Sequence, residues 1–118
     1  MEIFTKHQPR FAIDMESMLS LPATVFWKDI QGVFLGCNDA MAELASLSSR
    51  HAVVGFTDVE LIGEKAAMQF VNNDREVIKS GRTLVFDEYY RDGKGVLIKG
   101  ISTKAPLFDL QGNLVGLW

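Results

Sequence analysis

The stretch "VFWKDIQGVFLGCNDAMAELA", residues 25–45, decides how this chain folds. Its β-branched and aromatic runs, "TVFWK" at 24–28 and "VFL" at 33–35, read as extended strands. Between them Asp29 offers a side-chain acceptor and Gly32 a permissive backbone, the chemistry of a tight hairpin loop. Immediately afterwards Asn38 or Asp39 can cap a helix carrying Met41, Leu44, Ala45 and, more loosely, Leu47. The segment predicts strand, turn, strand, helix.

Upstream, residues 1–10 are mixed and polar and contain Pro9, which predicts a loose leader. Phe11, Met15, Met18 and Leu19 then fall at i, i+4, i+7 and i+8, one face of a short amphipathic helix that Pro22 stops. Residues 1–21 are thus a leader and flanking helix, and 22–118 form the domain. Downstream, Thr57 and Glu60 stand three apart, as a capping box requires, and predict a brief helical turn. "EKAAMQFVNNDREVIKSG" follows as the longest helix, with Ala66, Phe70, Val77 and Ile78 on one side and Gly81 as its stop. Three extended runs close the chain: "TLVFDEYYR", "VLIKGISTKAPLF" and "LVGLW", joined by the turns "DGKG" and "DLQGN". The last run ends with the chain at Trp118, which reads as a fragment of a longer protein.

Two strands, a helical block and three strands predict an α+β domain: one five-stranded antiparallel sheet with the helical block between strands 2 and 3 laid on one face. The chain has 118 residues, enough for one domain and its core. Its 47% hydrophobic and 23% charged residues are those of an ordinary globular protein. A net charge of -3, with 12 scattered Lys and Arg, supplies no basic field for phosphates, so nucleic acid is not expected as a partner of this chain. One Cys leaves no internal disulfide, in keeping with a reducing compartment. No apolar run approaches the roughly 20 residues of a membrane helix, and the start lacks a signal peptide's apolar stretch, so the domain is expected to be cytoplasmic without membrane contact, though a parent could be anchored.

The order and spacing of these segments resemble a PAS domain, the small sensor fold of bacterial signalling proteins. The resemblance covers residues 22–118 and is carried by "VFWKDIQGVFLGCNDAMAELA", by "VVGFTDVEL", similar to a Gly-x-Thr-Asp-x-Asp-Leu element, by "NDREVIKSG", and by "KAPLFDLQGNLVGL". Glu60 stands where the family often has Asp. The opening segment looks especially like the sensory boxes of bacterial histidine kinases. The resemblance implies a cytoplasmic input module in two-component signalling, with a pocket between sheet and long helix and an effector attached after the C-terminal strand.

Cys37, Asn38, Phe70, Asn73, Phe86, Glu88, Ile98 and Ser102 are the candidates to line that pocket. Each has a structural alternative. Cys37 ends the second strand outside any Asn-Cys-Arg-Phe-Leu-Gln stretch of the light-oxygen-voltage kind, so flavin-cysteinyl chemistry is disfavoured and a small packed thiol expected. Residues 64–80 hold no histidine, which disfavours a haem ligand from the long helix. His7 and His51 are expected in solvent, and Met68 in packing. The cofactor, if any, stays unknown, and no metal site is expected. Asn38 can cap a helix or meet a ligand. Asn73 or Asp74 can line the cavity edge or stay exposed, exposure being the expectation. In "VFDEYYR" alternation puts Phe86, Glu88 and Tyr90 on one face, where a half-buried acid needs a partner as salt-bridge member or ligand hook.

Val96, Ile98, Gly100 and Ser102 alternate with Leu97, Lys99, Ile101 and Thr103, so both faces of that strand carry apolar residues and both must be covered. The helical block covers one. The flanking helix with Phe11, Met15, Met18 and Leu19, from this subunit or a second, is the candidate for the other, which predicts a homodimer. No phosphate-binding loop, zinc-protease motif or nucleophile elbow is present, so this domain is not expected to be an enzyme. A sensor that binds a small molecule or partner and regulates a histidine kinase is the leading reading. A ligand-free dimerisation scaffold is the alternative, and an enzyme acting through Glu88 or Asp87 the weakest.

Overall fold

The computed structural model describes Leu19 and residues 21–118. The expected amphipathic helix over 11–21 therefore lies outside the described residues, apart from Leu19, which is helical, and Leu21, which is exposed. The first hairpin forms as its sequence dictates, with strands β1 (Phe26–Asp29) and β2 (Phe34–Cys37). Asp29 Oδ1 accepts the N–H groups of Gln31 and Val33, both at 2.9 Å, while Gly32 takes a φ of 83°. Helix α1 (Asp39–Leu44) starts on Asn38, whose Oδ1 accepts from the Met41 N–H at 3.0 Å. Asp39 instead pairs with Arg50 at 3.1 Å.

A 3-10 turn (Arg50–Val53) leads to α2 (Asp58–Ile62), where Thr57 and Glu60 complete the expected capping box. Helix α3 (Glu64–Ser80) ends on Gly81 in the left-handed region at φ 65°. Its inward stripe runs Ala67, Asp74 and Val77, with Phe70, Val71, Asn73 and Ile78 half-buried. Ala66, expected inside, is exposed; the stripe is one residue out of phase there and carries a carboxylate at its centre.

Strands β3 (Leu84–Arg91) and β4 (Leu97–Lys104) pair antiparallel over their full length. The run expected as one strand divides at Ala105 into β4 and β5 (Pro106–Phe108), and β5 pairs with β6 (Leu114–Leu117). Proline has no N–H to give to a ladder, so the run changes partner here, from β3 to β6. Ala105 keeps the layer continuous by exchanging both backbone hydrogen bonds with Trp118, at 2.7 and 2.9 Å. With β1 paired to β6 through Lys28↔Leu117 and Asp29↔Gly116, the strands make a four-stranded sheet, in the order β2, β1, β6, β5, and a two-stranded one, β3 with β4, which the chain joins through Ala105. Gly116 permits that junction, since a Cβ there would lie 2.0 Å from the Lys28 carbonyl oxygen. The PAS-like α+β architecture expected from the sequence is the one observed.

The apolar core under α1 is small: Phe34, Cys37, Ala42 and Val53, with Phe26, Met41, Leu47 and Leu61 packed on it. Under α3 the interior is different in kind. There the largest buried side chains include Lys28 and Lys104, at 2% and 1% exposure.

A buried ion network as candidate functional site

Alternation along the strands builds this centre. In β4 the inward positions are Ile98, Gly100, Ser102 and finally Lys104; in β3 they are Leu84, Phe86, Glu88 and Tyr90. Lys28 sits on the inward face of β1 beside Leu117. Asp74 faces all of them from α3 and binds two ammonium groups at once, Lys28 Nζ at 2.7 Å and Lys104 Nζ at 2.7 Å. Lys28 also reaches Asp58, at the start of α2, at 2.5 Å. Lys104 also reaches Glu88, at 2.7 Å, and Glu88 accepts from Asn73 Nδ2 at 3.0 Å.

Aromatic faces close the cage. Lys28 Nζ lies 4.6 Å from the Phe34 ring centroid and 5.0 Å from that of Phe26. Lys104 Nζ lies 5.6 Å from Phe70, 5.7 Å from Phe26 and 5.9 Å from Phe86. Ring faces are negative and attract cations, so the rings offset part of the cost of taking ammonium groups out of water. Among the described residues every buried side-chain nitrogen and oxygen has a hydrogen-bond partner. The charges do not balance, however: Asp58, Asp74 and Glu88 face Lys28 and Lys104, leaving one negative charge in excess. Burial pushes the Asp58 carboxyl above its usual range, against the pull of Lys28.

A cleft of about 490 Å³ opens onto this network between the β1–β2 turn, the start of α2 and α3. Asp58 and Asp74 line its inner wall, and Ile30, Val59, Ile78 and Leu117 line its sides.

The sequence-expected pocket residues divide into two groups. Phe70, Asn73, Phe86 and Glu88 gather around Lys104, with Ile98 and Ser102 further along the same inward face. Cys37 and Asn38 lie elsewhere. Cys37 packs in the apolar core and donates to the Arg50 carbonyl at 3.6 Å; burial, then Asp39, raise its thiol pKa. Asn38, fully buried, caps α1, accepts from the Val25 N–H at 3.0 Å and donates to the Ala23 carbonyl at 2.5 Å, so it ties the sheet's end to the preceding loop. Asp74, expected to be exposed, is buried because it bridges the two lysines. Met68, expected in packing, is exposed on the far side of α3, and His51 is exposed in the 3-10 turn. His7 lies outside the described residues.

Lys28, Lys104 and Asp58 escaped the sequence reading. One signal pointed to Lys104, which continues the inward alternation of Ile98, Gly100 and Ser102; the position of Asp74, seven residues after Ala67 on the helix stripe, pointed to its burial.

Antiparallel strands with helices packed against them, enclosing a charged centre beside a cleft, make a small α+β domain. The chain belongs to the PAS fold family, whose model matches residues 19–118. It is 28% identical over 98 residues to the aerobic respiration control sensor protein ArcB of Escherichia coli K12, covering 81% of this chain and 12% of ArcB. Among solved structures it is similar to the Vibrio cholerae VqmA dimer in the absence of target DNA, with 31% identity, a TM-score of 0.74, and 90% of this chain and 49% of that one covered. VqmA bound to DPO matches equally, at 31% and 0.74, over 87% of this chain and 52% of that one. The PAS domain of Bordetella pertussis BvgS shares the fold at 22% identity and a TM-score of 0.69, over 85% and 75% of the two chains. The chain thus spans about half of VqmA and a small part of ArcB.

Proposed function

We propose that this domain is the input module of a signalling protein: a small molecule enters the space between the sheet and α3, changes the packing of the ion network, and regulates an attached effector. The observation that carries this reading is the network itself. Well-packed hydrocarbon in its place is often as stable or more so, and four buried charges with the half-buried Asp58 are therefore poorly explained by stability alone. A site with several discrete pairings can instead be re-biased by a ligand. VqmA, described in a DPO-bound form, supports ligand binding by this fold, and the sensor protein ArcB supports a signalling role.

The effector in this reading is a histidine kinase in a two-component phosphorelay. VqmA is described with a target DNA, so excluding nucleic acid from a longer parent has no support; this chain's own net charge of -3 still gives it no field for phosphates. The domain acts in the cytoplasm as a homodimer. Among the described residues no helix is long and apolar enough to cross a membrane. Val85, Leu97 and Ile101 stand exposed on the sheet's outer face, which the dimer covers.

Native mass spectrometry of the purified chain, followed by thermal-shift screening of metabolites, tests the reading. A co-purified small molecule, or a compound that raises Tm in wild type and not in Lys104→Met, is the expected result. The alternative, a ligand-free dimerisation scaffold, is favoured by the complete pairing of the buried polar atoms among the described residues. It predicts no bound molecule and no thermal shift with any compound.

A further inference from the structure

The cleft beside the network has a polarity that narrows the class of ligand, and the following rests on the sensory reading above. Its inner wall is Asp58 and Asp74, where the network has one carboxylate more than its ammonium groups can balance. Asp58, with a side-chain exposure of 12%, is the member nearest solvent. An excess negative charge away from water is costly until a proton or a cation reaches it. Arg75 and Lys79 line the same cleft from the exposed side of α3, and neither forms an ion pair with an acid among the described residues. The rest of the lining is mostly apolar, with Ile30, Val59, Ile78 and Leu117, beside the polar Gln31 and Thr57.

A simple cation would share the cleft with the positive charges of Arg75 and Lys79. A simple anion would pass the rim and then face the surplus carboxylate. A molecule with both charges satisfies both ends. We propose that the cleft binds a small zwitterion, an amino acid with an apolar side chain, its ammonium group on Asp58 and Asp74, its carboxylate towards Arg75 and Lys79, and its side chain against the apolar walls. A volume of about 490 Å³ falls within the usual range for small-molecule sites and admits a ligand of this size. Bound there, the ammonium competes with Lys28 for Asp58, which couples occupancy to the pairing of the buried network.

Isothermal titration calorimetry on the whole chain with leucine, isoleucine, valine, methionine and phenylalanine tests this. Two analogues of leucine act as controls: 4-methyl-2-oxopentanoate, which lacks the ammonium, and 3-methylbutylamine, which lacks the carboxylate. The expected result is saturable binding of at least one amino acid, with each matching single-charge analogue at least about tenfold weaker, the factor produced by losing one modest charge-assisted contact. Asp58→Asn should remove the amino-acid response while leaving the protein folded, and Arg75→Ala with Lys79→Ala should weaken it. Keto acid or amine binding as tightly as the amino acid overturns the proposal. If no amino acid binds but another metabolite raises Tm, the zwitterion class fails and the sensory reading stands. If nothing binds and nothing co-purifies, both fail.

Discussion

Two aspartates in one network have different consequences, because Asp74 holds two ammonium groups and Asp58 holds one. Among the described residues Asp74 is the acid that touches both lysines, so Asp74→Asn takes a charged contact from each and leaves Lys28 to Asp58 alone and Lys104 to Glu88 alone. The expected loss is about 3–5 kcal/mol in urea unfolding, the usual range when one member of a buried ion pair is removed. Asp58→Asn leaves Lys28 held by Asp74 and brings the network to two charges of each sign. Its stability at neutral pH should change by less than about 1 kcal/mol or increase. The pH dependence separates the two aspartates further. Because the Asp58 pKa is raised on folding, the native state holds that proton more tightly than the unfolded chain, so this group's contribution is full below the unfolded value and is lost as pH rises through the folded one. Asp109 behaves oppositely: held below 3.8, first by the Asn113 N–H, it contributes above its unfolded value and the contribution is lost as pH falls through the folded one. Unfolding curves measured upward from about pH 4 should therefore contain a falling component with rising pH that Asp58→Asn removes; a pH profile unchanged by the substitution would assign the slope to other groups. Glu88 could be flagged from sequence because it shares an alternating face with Phe86 and Tyr90. The lysines could not be matched to their acids, since Asp74 lies 46 residues from Lys28 and 30 from Lys104. Local periodicity says which way a side chain points and nothing about what stands opposite.

At the scale of elements, the turns and caps were legible because their chemistry is local. Asp29, Asp92 and Asp109 each accept, through Oδ1, the N–H groups two and four residues on, so three loops of the chain use one turn. The partner change at Ala105 was less legible, because Pro106 in a run of apolar residues marks a break without saying which strand takes over. The free edge of β3 was not legible at all. Gln69 of α3 closes it: its Oε1 accepts from the Tyr89 N–H at 2.8 Å and its Nε2 donates to the Tyr89 carbonyl, as a neighbouring strand would. An open edge invites another chain to pair. Gln69→Ala should cost about 1–2 kcal/mol, the scale of losing two partly exposed hydrogen bonds. Amide exchange at Tyr89 should accelerate while that at Gly100, which pairs with Glu88 inside the ladder, is little changed. Equal acceleration at both would mean that the glutamine supports the whole hairpin and not its edge.

Across the whole molecule the layer is two-sided, and the two sides are built on different principles. The inner face gathers charge under α3, with every buried polar atom paired among the described residues. The outer face is the reverse: Ile101 is 77% exposed and Val85 65%, with Tyr89 and Leu97 nearby on the same pair of strands, the exposed pair Asp87–Lys99, at 3.5 Å, between them and Arg91 and Thr103 towards the ends. Alternation along "VLIKGISTK" made this two-sidedness readable, because a strand with a polar solvent face would not put Leu97 and Ile101 opposite Ile98. A monomer would leave that surface in water at roughly 25 cal/mol for each Å² of apolar area, whereas a second copy removes it. The proposed dimer therefore predicts that Ile101→Glu converts the sedimentation coefficient to that of a monomer. Its unfolding free energy at low protein concentration should stay within about 0.5 kcal/mol of wild type, because an exposed position makes few internal contacts. Titration with the ligand should still give a thermal shift in the variant, since the cleft lies on the other side of the sheet. A wild-type chain that sediments as a monomer at high concentration, or an Ile101→Glu variant that remains dimeric, would move the subunit interface away from this face.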